Sequence, residues 1–183
     1  MFFEKQLTKQ SIYIDRIPKI LPIDFDRLKK EIKKYHKKKF KKSNTDFSPF
    51  FDYYHMPDTI DIIWIRDYIK DFFYKKTKKV LVHKNTCFLW LKKNEQINSH
   101  QHIDFYNIDE SPDFSFILNV SCGYKHPKYI EFDYEGGRKK HGKYRQYYQE
   151  KSIIGFNSEL VHSFNKNLHK EETINLSFRF QII

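Results

Sequence analysis

Near residue 80 the apolar residues of this chain change period, and that change limits the folds open to it. Before it, Phe25, Leu28, Ile32 and Tyr35 recur every three or four residues, as do Ile62, Ile65, Ile69, Phe72 and Phe73, which is the spacing of helices with one apolar stripe. After it, apolar and polar residues alternate, so that successive side chains take opposite faces of a strand. The pattern predicts helices over 24–39 and 59–75, the second N-capped by Asp58. It predicts strands over 80–83, 87–91, 96–102, 114–121, 129–134, 152–156 and 173–183, with a further edge strand around Ile12 to Ile14. Two amphipathic helices followed by many short strands describe an α+β domain whose β part is a sandwich or barrel. The 183 residues suit a single domain, with 1–79 as helical N-terminal support and 80–183 as the β core.

Two connections stand out. Residues 41–58 read as a long aromatic loop, either a lid over a site or a segment packed on the core. Gly136-Gly137 and the basic run Arg138 to Arg145 read as a long polar hairpin connection. The last strand is two-faced: Ile174, Leu176, Phe178, Phe180 and Ile182 alternate with Thr173, Asn175, Ser177, Arg179 and Gln181. Its polar face either looks at water or lines an internal cavity.

The formal charge of +11 invites a phosphate-bearing partner. Of the 34 basic residues 28 are Lys and six are Arg, however, and Arg is the better tool for forked phosphate recognition. Lys29, Lys30, Lys33, Lys34 and Lys37 to Lys39 on the first helix form either a phosphate-facing ridge or a solvated face. Two cysteines, Cys87 and Cys122, make neither a zinc site nor a secreted disulfide framework, which favours a reducing, cytoplasmic setting. No segment approaches the roughly 18 uninterrupted apolar residues of a membrane span, and the first residues lack the pattern of a signal peptide.

The chemistry concentrates in Ser99-His-Gln-His-Ile-Asp104 and Leu160-Val-His162. Two imidazoles and one carboxylate hold one face of an octahedral ion and leave the other open, as a non-haem Fe(II) oxygenase requires. On an extended strand His102 and Asp104 point the same way, and His162 answers them 58 residues after Asp104. His100 shares that strand face and competes with His102. His126, His141 and His169 sit in loop-like stretches and read as surface residues.

The stretch from about Thr86 to Ile183 resembles the double-stranded β-helix, or jelly roll, of the Fe(II)/2-oxoglutarate-dependent dioxygenases. These enzymes carry His-x-Asp, a distal His, then a basic residue on a late strand. Phe156-Asn-Ser158-Glu-Leu160-Val-His162, with Asn167 five residues on, is similar to the Phe-Pro-Ser-x-Leu-x-His segment of phage-type prolyl-hydroxylase-like oxygenases. Asn175-Leu-Ser-Phe-Arg179, with Val120-Ser-Cys-Gly123 upstream, resembles the ending and an inner strand of AlkB-type nucleic-acid demethylases.

The resemblance implies an enzyme that binds Fe(II) through His102, Asp104 and His162, takes 2-oxoglutarate as cosubstrate, and hydroxylates a C–H bond of a protein side chain, a nucleobase or a small molecule. It also implies the two N-terminal helices packed on the jelly roll. One departure matters: an Arg that clamps the distal carboxylate of 2-oxoglutarate in both branches is replaced here by Thr173. Arg179 lies on the same strand face but ~20 Å further along, too far for a simple swap. The candidates for cosubstrate binding are Arg179, then Asn175 and Ser177, then Asn119, unless another strand supplies a Lys or Arg. The rival readings are an AlkB-like demethylase and a catalytically silent jelly roll that binds nucleic acid or protein.

Overall fold

The regular elements follow the change of period. The structure is a computed structural model and describes residues 3–7, 10–40, 54–103, 106–122, 127–136 and 140–183. In chain order these form β1 (Phe3–Leu7), β2 (Gln10–Arg16), α1 (Phe25–Phe40), β3 (Tyr54–His55), α2 (Ile60–Thr77), β4 (Leu81–Leu91), β5 (Ile97–His100), β6 (Phe114–Ser121), β7 (Lys128–Gly136), β8 (Lys140–Tyr148), β9 (Ser152–Asn157), β10 (His162–Phe164) and β11 (Thr173–Ile182). The strands make one sheet in the order β1-β2-β9-β6-β11-β4-β3 and a second in the order β5-β10-β7-β8. Neighbouring strands are antiparallel throughout.

The centre of the larger sheet is buried on both faces, because every residue of β6 and the first eight of β11 are buried. On one face Phe114, Phe116, Leu118 and Val120 of β6 and Ile174, Leu176, Phe178 and Phe180 of β11 pack with Leu28 and Ile32 of α1 and Ile62, Ile65, Ile69, Phe72 and Phe73 of α2. Each such side chain contributes about 1.5–3 kcal/mol by leaving water. On the other face Ile117, Ile154 and Phe156 meet Ile130, Phe132 and Phe164 of the smaller sheet. The layers are therefore helices, large sheet, small sheet. Asp61 ties the helices together: fully buried, it accepts from Arg27 Nε at 2.8 Å and Nη2 at 2.7 Å and from the Asp24 backbone N–H at 3.0 Å.

Several local expectations are corrected. Thr59, not Asp58, caps α2: its backbone is extended and its side chain accepts from the Ile62 N–H, while Asp58 pairs with Arg66 at 2.7 Å. The segment around Ile12 is an inner strand, since β1 covers its outer edge. The predicted strands 80–83 and 87–91 are one strand, β4, whose pairing with β11 slips between Arg179 and Phe180. Most of the basic run is strand β8 rather than connection; Tyr144 and Tyr148 turn into the core, while Lys143 and Arg145 turn outward to Glu131. Their charge masked a two-residue period. The 41–58 loop, read as either a lid or a packed segment, falls mostly on residues 41–53, outside the described residues, and Tyr54–His55 pairs with β4. Cys87 and Cys122 are buried free thiols. No helix among the described residues is long and apolar enough to cross a membrane.

Candidate metal centre

Strand pairing brings the distant histidines together. His162 on β10 is the register partner of His100 at the end of β5 and, on its other side, of Phe132 on β7. His102 lies just beyond β5, where its backbone N–H donates to the Ser158 carbonyl at 2.8 Å and turns the side chain inward. Ring centroids are 4.3 Å apart for His100 and His162, 4.8 Å for His102 and His162, and 5.4 Å for His100 and His102. One nitrogen from each of the three lies within 4.8 Å of the others. Three imidazole nitrogens on one face of an ion at about 2.1 Å stand about 3.0–3.4 Å from one another, so the rings would draw together by roughly 1–2 Å to share a metal. Asp104 lies outside the described residues.

Hydrogen bonds aim the rings. His162 Nδ1–H donates to the Leu160 carbonyl at 2.9 Å and His100 Nδ1–H to the Asn98 carbonyl at 3.0 Å, which leaves the Nε2 lone pair of each free to face inward. His162 Nε2 is buried with no hydrogen-bond partner among the described residues, a costly arrangement that a metal ion would relieve. His102 Nδ1 meets Ser115 Oγ at 2.7 Å, and Ser115 Oγ meets Ser158 Oγ at 2.8 Å. Phe156 packs against His162 at 4.5 Å between ring centroids, walling the cluster from the core. Burial holds all three imidazoles below the ordinary histidine pKa, His162 to about 3, and the nearby Arg179 charge adds to the effect on each. Neutral imidazole is the form that binds metal.

From this cluster a polar ladder runs along the inner face of β11. Thr173, Asn175, Ser177 and Arg179 are all buried there, so this face does not look at water. Arg179 is the register partner of Ser115, which holds His102, and therefore stands at the histidine end; Thr173 is at the far end, paired with Leu91. Asn119 Nδ2 donates to Asn175 Oδ1 at 2.8 Å. Thr173 Oγ1, Ser177 Oγ and Asn119 Oδ1 have no hydrogen-bond partner among the described residues. A row of buried polar groups of this kind calls for a polar occupant.

No family model matches the chain, and no curated protein matches its sequence. Solved structures do match. A prolyl-4-hydroxylase from Pseudomonas putida superposes with a TM-score of 0.61 at 10% identity, covering 94% of this chain and 86% of that one. The non-haem α-ketoglutarate-dependent carbocyclase SnoK of nogalamycin biosynthesis gives 0.64 at 6% identity over 91% and 78% of the two chains. The viral collagen prolyl hydroxylase of Paramecium bursaria Chlorella virus-1, in complex with 2-oxoglutarate, gives 0.58 at 11% identity over 91% and 94%. The fold is that of the 2-oxoglutarate-dependent oxygenases.

Within this oxygenase fold, the residues singled out from sequence divide clearly. His102 and His162 come together, and His100 joins them. Asn119, Asn175, Ser177 and Arg179 share the buried inner face. His169, expected at the surface, is buried. Sequence reasoning missed Ser115, whose hydroxyl carries no motif, the contact made by Ser158, which was noted only as part of its segment, and Lys128, which sits beside a Pro in what reads as a loop. Lys128 is 3% exposed, and a charged residue at the start of an alternating strand was the available signal.

Proposed function

We propose that this chain is a non-haem Fe(II)- and 2-oxoglutarate-dependent oxygenase that hydroxylates a C–H bond. The observation that carries the reading is the convergence of His100, His102 and His162 at the inner end of a buried polar ladder, in a fold shared with oxygenases of that class. We read the two sheets as a jelly roll and the whole chain as one domain with the helices as its support. His102, Asp104 and His162 are the proposed metal ligands, with His100 adjacent and able to compete for the ion.

The donor set fits a divalent iron: neutral imidazole nitrogens, a carboxylate two residues from His102, and positions left open. When bound, iron and 2-oxoglutarate would supply, with dioxygen as oxidant, the oxidative decarboxylation to succinate and carbon dioxide that drives hydroxylation. This chain's residues do the rest. The Leu160 carbonyl and the Ser115 and Ser158 hydroxyls fix the ring planes. Phe132 and Phe156 would help to keep water from a metal held there. Arg179, at the histidine end, would balance a carboxylate of the oxo acid, and Asn175, Ser177 and Asn119 would offer it hydrogen bonds.

The substrate class we favour is a protein side chain or amino acid, because two of the matching structures are prolyl hydroxylases and Phe156 to His162 resembles the same branch. The test is anaerobic reconstitution with Fe(II) and 2-oxoglutarate, followed by oxygen and an assay for succinate. Succinate formation that is lost in His162→Ala supports the reading; iron-loaded protein that neither binds nor consumes 2-oxoglutarate refutes it.

A further inference from the structure

Lys128 opens β7 and points between the sheets, on the same side as Ile130 and Phe132. Its Nζ donates to Asn167 Oδ1 at 2.6 Å, and no carboxylate pairs with it among the described residues. A buried ammonium whose hydrogen-bond partner among the described residues is an amide oxygen is an expensive arrangement unless an anion completes it. Burial accordingly holds the Lys128 pKa below the ordinary lysine value, opposed by the Cys122 thiol nearby.

Its position is as telling as its charge. Asn167 spans from Lys128 to the far end of the ladder, donating through Nδ2 to the Leu91 carbonyl at 3.1 Å, and Leu91 is the register partner of Thr173. Lys128 is itself the register partner of Tyr148, which is buried on the same inward face. Burial and strand register thus place Lys128, Tyr148, Asn175, Asn119 and Thr173 toward one end of the polar layer between the sheets, and Arg179 toward the other. Two cations at opposite ends of a row of uncharged donors and acceptors match a ligand with a carboxylate at each end.

We propose that Lys128 binds the remote carboxylate of a dicarboxylic 2-oxo acid, replacing from β7 the arginine that Thr173 displaces on β11. The Thr173 hydroxyl, which has no hydrogen-bond partner among the described residues, supplies a second donor to the same carboxylate. Lysine offers a point charge where arginine offers a planar fork, so the missing geometry comes from the neighbouring hydroxyl. This inference rests on the oxygenase reading above and adds to it which residue makes the enzyme choose a diacid.

The test is binding rather than turnover. Metal-loaded protein is titrated anaerobically with 2-oxoglutarate and with 2-oxovalerate, which has the same carbon chain with a methyl in place of the remote carboxylate. Wild-type protein binds 2-oxoglutarate roughly 30-fold more tightly or better, the usual penalty for stranding one member of a buried charge pair. In Lys128→Met that preference falls at least about tenfold while 2-oxovalerate affinity stays within about twofold, and Lys128→Arg retains part of the preference. Unchanged 2-oxovalerate binding also shows that the variant is folded, and Lys128→Gln serves if Met does not express. A preference that survives in Lys128→Met, a parallel loss for both acids, or equal wild-type affinity for the two overturns the assignment. Wild-type metal-loaded protein that binds neither acid overturns the oxygenase reading and this inference together.

Discussion

His162 and His100 face each other as register partners across β10 and β5, ring centroids 4.3 Å apart, and each turns its Nδ1–H to a backbone carbonyl. The backbone itself thus sets both tautomers. His162→Ala and Asp104→Ala are each expected to weaken Fe(II) or Co(II) binding by roughly 100-fold or more, beyond the 10–100-fold typical of losing an outer hydrogen bond. Metal titration followed by absorption checks this, with circular dichroism as the control for folding. Unchanged affinity in both variants would remove the proposed ligand set. His100→Ala decides the competition: a change in the Co(II) spectrum places His100 on the ion.

Ser115 is expected to act at one remove. Ser115→Ala breaks the contact with His102 Nδ1 and strands the Ser158 hydroxyl, so metal affinity falls about 10–100-fold. Stability falls by about 1–3 kcal/mol for the buried group left unsatisfied. A urea denaturation curve and a metal titration on the same variant separate the two effects; wild-type affinity in a destabilised variant would make Ser115 a packing residue only.

Lys128 makes a pH prediction in the protein free of ligands. Its folded pKa is lowered by burial, so between that value and about 10.4 the unfolded chain binds the proton that the folded chain has lost, and stability rises with pH. Below that window the folded protein bears the full cost of the buried charge. Lys128→Met should therefore melt at or a few degrees above wild type at pH 7. The gap should narrow as pH approaches 10. A variant that melts well below wild type at every pH would make the Asn167 contact the main role of this side chain.

Asp61 holds the helix layer. Asp61→Ala removes the forked bond from Arg27 and the acceptor for the Asp24 N–H, and is expected to cost about 1–3 kcal/mol; Arg27 is half exposed and regains water. Thermal denaturation measures the loss.

Gly155 is the register partner of Phe116, and a Cβ there would overlap the Phe116 ring. That ring is itself wedged among Phe72, Phe73 and Phe180 and has nowhere to move. Gly155→Ala is expected to destabilise by about 3 kcal/mol or to abolish soluble expression. Near-wild-type melting would mean the aromatic cluster is looser than its packing implies.

Much of this was legible from residue order alone, for reasons that differ by element. Both helices announce themselves because their stripes recur over about three turns, and β11 because ten residues alternate without a break. The pairing of His102 with His162 was readable from residue type. β10 was not, since three residues hold too little alternation to register, and β8 was hidden by lysines and arginines that occupy only its outer face. Lys128, Ser115 and Ser158 owe their importance to partners 39, 13 and 43 residues away, and no local pattern records such a contact. The resemblance found the vacancy at Thr173 but could not say which strand answers it, because β7 reaches that corner only after the sheets close.

The two faces of β11 belong to different layers, one gripping the helices and the other carrying the buried polar row. A slip of one residue would swap them, sending phenylalanines into the polar layer and an arginine into the oil. Insertions and deletions inside 173–180 should therefore be lethal where point changes are survivable, so this strand can drift only letter by letter.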